Sequence, residues 1–190
     1  MEENGTRPPR DRREPTAALR TGFALIRQAV PGLRYRLVGT AAASVQGVDL
    51  PVGDVDVLFA RRRDIDAAAE ALGHLPCVSP PRGIAVSRQY YACCTVDGIG
   101  FGVSTMERDC AEDGWENQGP GPWRHHVTVD RDGPRPDRVR LELRLTTGFL
   151  RDRPDRHRPP LAHLRAHGAA LGPLRHSLAV RGIPGRHAAG

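Results

Sequence analysis

Asp54 and Asp56, in the run DVDVLF, have the types and spacing to do chemistry. On a β-strand, residues i and i+2 share a face, so their four carboxylate oxygens converge on one region. Two like charges held that close repel, and a cation between them relieves the cost. Magnesium prefers hard oxygen ligands, typically one or two carboxylates completed by substrate phosphates. A second feature precedes them. Gly39-Thr40 follows Leu37-Val38 and opens the small-residue run AAAS. A Gly-Thr turn at a helix start offers backbone N–H groups and a hydroxyl to a phosphate. Each feature also has a plainer reading. The aspartates would be a solvated strand start, and Thr40 an ordinary helix N-cap.

The elements that must position these residues follow from periodicity. PTAALRTGFALIRQAV carries Ala18, Phe23, Leu25, Ile26 and Val30 at near-helical spacing, and Pro31-Gly32 ends it. Residues 34–38 alternate as a short strand, and AAASVQG forms a short helix capped by Thr40. Residues 54–59 form the next strand, with Val55, Val57 and Phe59 facing away from the aspartates. Residues 64–72 are a helix with Asp64 as its N-cap, and residues 73–81 are irregular. Residues 89–96 and 99–105 are the arms of a hairpin around Asp97-Gly98, a strong turn signal. Residues 106–122 form an acidic, Gly-rich loop with Trp115, and 125–130 another short strand. Helices are expected over 139–150, 159–167 and 171–180. This order implies an α/β (α+β) fold. It divides into a leader over 1–14, disordered for its Pro, Arg and Glu content, a core over 15–135 and a C-terminal helical segment over 136–190.

Composition narrows the function classes. A hydrophobic content of 39% in 190 residues supports one core. No apolar stretch is long enough to span a bilayer, and the start has no apolar signal region. A cytoplasmic protein is the expectation. The net charge of +6 invites a nucleic-acid reading, but all 28 basic residues are Arg and many alternate with Asp, as in RDRPDRHRPP. A solvated charged face is favoured over a nucleic-acid patch. Cys77, Cys93, Cys94 and Cys110 lack C-x-x-C spacing, and the neighbours Cys93 and Cys94 point to opposite faces of a strand. Free thiols are expected rather than a zinc site.

Taken together, LVGTAAASVQGVDLPVGDVDVLF resembles the signature of the nucleotidyltransferase superfamily, the polymerase-beta-like fold. That signature runs Gly-Ser or Gly-Thr, short helix, then Asp-x-Asp on a strand. The variant here is similar to that of small bacterial and archaeal nucleotidyltransferase-domain proteins. The hairpin YYACCTVDGIGFGVS, the segment LELRLTTGFLRDRPDR and the run LAHLRAHGAALGPLRHSL resemble later parts of such proteins, so the likeness spans roughly residues 33–182. It implies a mixed β-sheet core with flanking helices, and transfer of a nucleoside monophosphate from a triphosphate such as ATP to a hydroxyl, that of a small molecule in the first instance. Asp54 and Asp56 would be catalytic and would ligate Mg2+. Gly39, Thr40, Arg88 and Arg153 would contact the nucleotide. Arg151 and Arg156 accompany Arg153, though all three could simply favour a helix C-terminus or pair with Asp152 and Asp155.

One departure stands out. The superfamily usually has a third carboxylate on the strand after the hairpin turn, and alignment puts Gly102 there. In a two-metal mechanism that carboxylate helps hold the metal that activates the attacking hydroxyl. Glu107 and the more remote Glu142 are the candidates to replace it. A second reading is therefore a degenerate member that binds a nucleotide, ligand or partner without transfer. A third is an RNA-associated or antitoxin role, which the basic balance permits. Neither the acceptor nor the oligomeric state follows from the sequence.

Overall fold

The computed structural model describes residues 13–84, 89–106, 126–127, 137–150 and 152–180. These form a mixed sheet flanked by helices. In chain order the elements are α1 (Arg13–Ala29), β1 (Tyr35–Val38), α2 (Gly39–Ser44), β2 (Asp54–Phe59), α3 (Arg62–Ala71), β3 (Cys77–Ile84), β4 (Gln89–Val96) and β5 (Ile99–Met106). Then come β6 (His126–Val127), β7 (Arg138–Val139), α4 (Leu141–Leu150), α5 (Pro154–His167) and α6 (Leu171–Val180). The described strands order as β3-β4-β5-β2-β1-β7-β6. The β2–β5 and β1–β7 pairs are parallel and the others antiparallel.

Alternation decides which face is core. Val55, Val57 and Phe59 of β2, Ile99, Phe101 and Val103 of β5, and Ala92, Cys94 and Val96 of β4 are all buried in one cluster. Ala18, Leu19, Phe23 and Ile26 of α1, with Ile65 and Ala68 of α3, cover it. Phe23 is its hub, stacked on Tyr35 at 4.9 Å and edge-on to Phe101 at 5.6 Å. A smaller cluster of Ala43, Val48, Leu50, Leu141 and Leu164 fastens α4 and α5 to α2 and the loop behind it.

Several expectations are corrected. The stretch 73–81 is not irregular throughout, because β3 begins at Cys77 despite Pro80 and Pro81. β3 is the edge of the sheet, where a missing N–H leaves no ladder bond unmade. Its pairing with β4 shifts register around Ser79 and again before Arg82. Asp64 lies inside the first turn of α3 rather than at its cap, which is Arg61. The α5 helix starts at Pro154, five residues early, and runs through Pro159 and Pro160. The sheet also takes in Arg138–Val139, beyond the boundary expected at 135, before the helices begin at Leu141. The expected leader lies outside the described residues except for the start of α1.

Two polar contacts tie β7 and its neighbours to the core. Arg36, buried on β1, pairs with Asp137 at 2.6 Å; burial lowers its pKa and Asp137 opposes that shift. Gln46, just after α2, donates to the Ala42 carbonyl at 2.7 Å and to the Val139 carbonyl at 2.9 Å. Gln46→Ala leaves the Val139 carbonyl without this donor. It should lower the unfolding free energy by about 1–2 kcal/mol, read as a shifted urea midpoint at unchanged slope.

Candidate active site

The face of β2 opposite the core carries Asp54 and Asp56, as alternation predicts. Asp54 is exposed and Asp56 half-buried, while Val55 and Val57 are buried. Both aspartates line a pocket of about 300 Å³. Val38, Gly39 and Thr40 form one wall, Gln89, Tyr91 and Ser104 another, and Arg144, Gly148, Arg153 and Arg156 close it from the C-terminal helices. The register explains the convergence. Asp56 stands between Val38 on β1 and Gly102 on β5, and Gly39 follows Val38 directly.

Gly39 has φ +68°, the left-handed region that favours glycine. A Cβ there would lie 2.6 Å from Asp56 Oδ2. The backbone at the start of α2 therefore passes against the carboxylate, closer than any side chain allows. Thr40 is buried, yet it does not cap the helix: Val38 occupies the cap, with no side-chain cap bond. The Thr40 hydroxyl has no hydrogen-bond partner among the described residues. A buried hydroxyl without a partner costs about 1–3 kcal/mol, so a pocket ligand that bonds it recovers that cost.

Gly102, where the resemblance implies a third carboxylate, lies beside Asp56. Gly102 is the register partner of Asp56, and a Cβ at Gly102 would lie 3.2 Å from Asp56 Oδ1. The same Cβ would meet Tyr91 Cε2 at 3.0 Å and the Tyr91 hydroxyl at 3.2 Å. Tyr91, on β4, thus fills the room that glycine leaves. Burial pushes its phenol well above the usual range, and a hydrogen bond with Cys93 and the negative Asp56 and Asp54 add to this. It stays a protonated donor. Burial also raises the Cys93 thiol, against a lowering bond with Tyr91. Glu142 does not complete the site: its carboxylate accepts from the Ala170 N–H at 2.7 Å, ahead of α6, and it does not line the pocket. Glu107 lies outside the described residues. Among the described residues no group of three or more His, Cys, Asp or Glu is arranged to hold a metal ion. Asp54 and Asp56 suit a cation that takes its remaining ligands from substrate phosphates and water.

Arg153 lines the pocket and also forks onto Asp155, one of the pairings its plainer reading offered, through Nε at 3.0 Å and Nη2 at 2.8 Å. Arg156 adds a bond to Asp155 at 3.1 Å. The Arg153 contact comes first in holding the Asp155 carboxyl down to about 2. Arg88 and Arg151 lie outside the described residues, as do Cys110 and Trp115. Asp97 remains a turn residue, bonded by Thr21 at 2.7 Å and absent from the pocket lining.

Sequence reasoning missed Gln89, Tyr91, Ser104, Arg144 and Gly148. The signal for Tyr91 was there: the Asp-Gly turn fixes the register Tyr91↔Ser104 and Cys93↔Gly102, which puts Tyr91 diagonally beside Gly102. Arg144 sits in the mostly apolar run LELRLTTGFL and is buried. A charge so placed faces something polar.

No protein-family model matches the chain, and no curated protein matches it. Among solved structures it is similar to the crystal structure of a "putative nucleotidyltransferase" from Thermotoga maritima. The match spans 92% of this chain and 94% of that one, with a TM-score of 0.54 and 15% sequence identity. At that identity the likeness speaks for architecture. No described helix is long and apolar enough to cross a membrane. The chain has the nucleotidyltransferase fold.

Proposed function

We propose that the protein is a metal-dependent nucleotidyltransferase that moves a nucleoside monophosphate from a nucleoside triphosphate to a hydroxyl, that of a small molecule in the first instance. The observation that carries this reading is the unpartnered Thr40 hydroxyl, buried in the same pocket as Asp54 and Asp56. A phosphate oxygen is the complementary acceptor.

Asp54 and Asp56 would hold Mg2+, which when bound neutralises phosphate charge and lowers the pKa of an attacking hydroxyl. Gly39 and Thr40 would position the phosphates. Arg144, Arg153 and Arg156 would balance the charge that builds on pyrophosphate as the bond between the α-phosphorus and its bridging oxygen breaks. The acceptor oxygen forms the new bond to that phosphorus and its proton passes to solvent. Rate acceleration would come from positioning and charge balance. Arg153→Ala should weaken triphosphate binding by roughly tenfold, since the exposed Arg153 already shares its charge with Asp155; titration calorimetry checks this.

The Tyr91–Gly102 contact favours a second reading, binding without transfer, because a phenol stands where a third carboxylate would. One experiment separates the two. The four nucleoside triphosphates are titrated with and without Mg2+, and the same samples are assayed for pyrophosphate with hydroxyl acceptors present. Mg2+-dependent binding with pyrophosphate release supports transfer. Binding without release supports the second reading, and no binding overturns both.

A further inference from the structure

The three described cysteines sit on two neighbouring strands at one edge of the sheet. Cys77 opens β3 and is exposed, whereas Cys93 is half-buried and Cys94 buried on β4; all three are free. Cys77 and Cys94 are register partners. The Thr95 N–H donates to the Pro76 carbonyl at 2.9 Å, a bond that brackets a pair in the non-hydrogen-bonded position of an antiparallel ladder. Partners there share a face, with Cα atoms about 4.5 Å apart. That separation lies inside the span of roughly 4.4–6.8 Å that a disulfide bridges. Cys93 points to the opposite face, toward Tyr91, so Cys94 is the thiol that Cys77 meets.

We propose that Cys77 and Cys94 form a reversible dithiol–disulfide site that low-molecular-weight disulfides oxidise. Exposed Cys77 is the point of entry. Its thiolate attacks one sulfur of the reagent, breaks the reagent's S–S bond and releases one thiol, leaving a mixed disulfide on Cys77. The Cys94 thiolate then attacks the Cys77 sulfur and releases the second thiol. The protein loses two hydrogens, and the reagent is reduced to two thiols. Burial holds the Cys94 thiol at about 11, so the second step is the slower and quickens as pH rises. Closure pins the edge strand to β4, the strand that presents Gln89 and Tyr91 to the pocket. This site is independent of the nucleotide reading.

The test uses the full chain with oxidised glutathione, followed by intact mass and a non-reducing digest of the wild type, Cys77→Ser and Cys93→Ser. Circular dichroism confirms that the exposed substitution at Cys77 leaves the fold intact. The expected result is loss of two hydrogens and a fragment joining Cys77 to Cys94 in the wild type and in Cys93→Ser, formed faster at higher pH. Cys77→Ser should give no cross-link. A glutathione adduct on Cys77 that never closes overturns the proposal. So does a bond from Cys77 to Cys93 or Cys110, a cross-link that survives in Cys77→Ser, or no reaction at all.

Discussion

Asp56→Asn should abolish Mg2+-dependent transfer, lowering kcat by roughly 10²–10³-fold, while leaving the fold intact. The amide keeps the shape of the carboxylate and removes one of two neighbouring negative charges on β2. Relief of that repulsion predicts an unchanged or slightly raised Tm without ligand. The discriminating readout is the response to ligand. Wild-type protein should gain stability from Mg2+ with a triphosphate, about 2.7 kcal/mol at a hundredfold excess over Kd, and Asp56→Asn should gain little. A variant that kept full activity would remove Asp56 from the site. One that lost activity but kept the whole Mg2+-dependent shift would move its role from metal binding to the chemical step.

Gly39→Ala should damage stability and site together. A non-glycine residue in the left-handed region costs about 1–2 kcal/mol, and the added methyl would lie 2.6 Å from Asp56 Oδ2. The carboxylate must swing away or the start of α2 must shift. We expect a loss of roughly 2 kcal/mol, seen as a Tm lower by roughly 5 °C, together with loss of Mg2+-dependent nucleotide binding at temperatures where the variant is folded. A stable variant with normal binding would contradict the close packing of α2 against β2. Loss of stability with normal binding would confine the role of Gly39 to the backbone.

The local parts of this site were legible in the sequence. DVDVLF alternates, so its two aspartates had to share a face and its valines had to be core. Asp97-Gly98 fixed a hairpin, and Asp97 does take positive φ, +48°. The position of Gly102 beside Asp56 followed from the resemblance, and the parallel β2–β5 register agrees with it. The non-local parts were not legible. CVSPPRGI reads as a breaker because prolines leave ladder bonds unmade, and only its place at the sheet edge makes it a strand. Thr40 has the residue type of an N-cap, but the cap falls two residues earlier, at Val38, and leaves the Thr40 hydroxyl in the pocket. Arg144 was not singled out in the sequence, because its place across the pocket from the aspartates depends on where α4 docks. The hairpin register alone sets Tyr91 diagonally beside Gly102, but that this brings it to Asp56 needed the parallel pairing of β5 with β2.

The pocket draws its walls from three stretches far apart in the chain, residues 38–56, 89–104 and 144–156, and that sets the order in which it can form. The β4–β5 hairpin closes over a two-residue turn and is quick. The aspartates meet the arginines of α4 and α5 only after a loop of about a hundred residues has closed, a contact that slows folding and comes late. As the chain leaves the ribosome, Asp54 and Asp56 are exposed for a long interval with no cationic wall opposite them. The two charges repel through that interval, and the pocket is completed only when the segment through Arg156 has been synthesised and has docked.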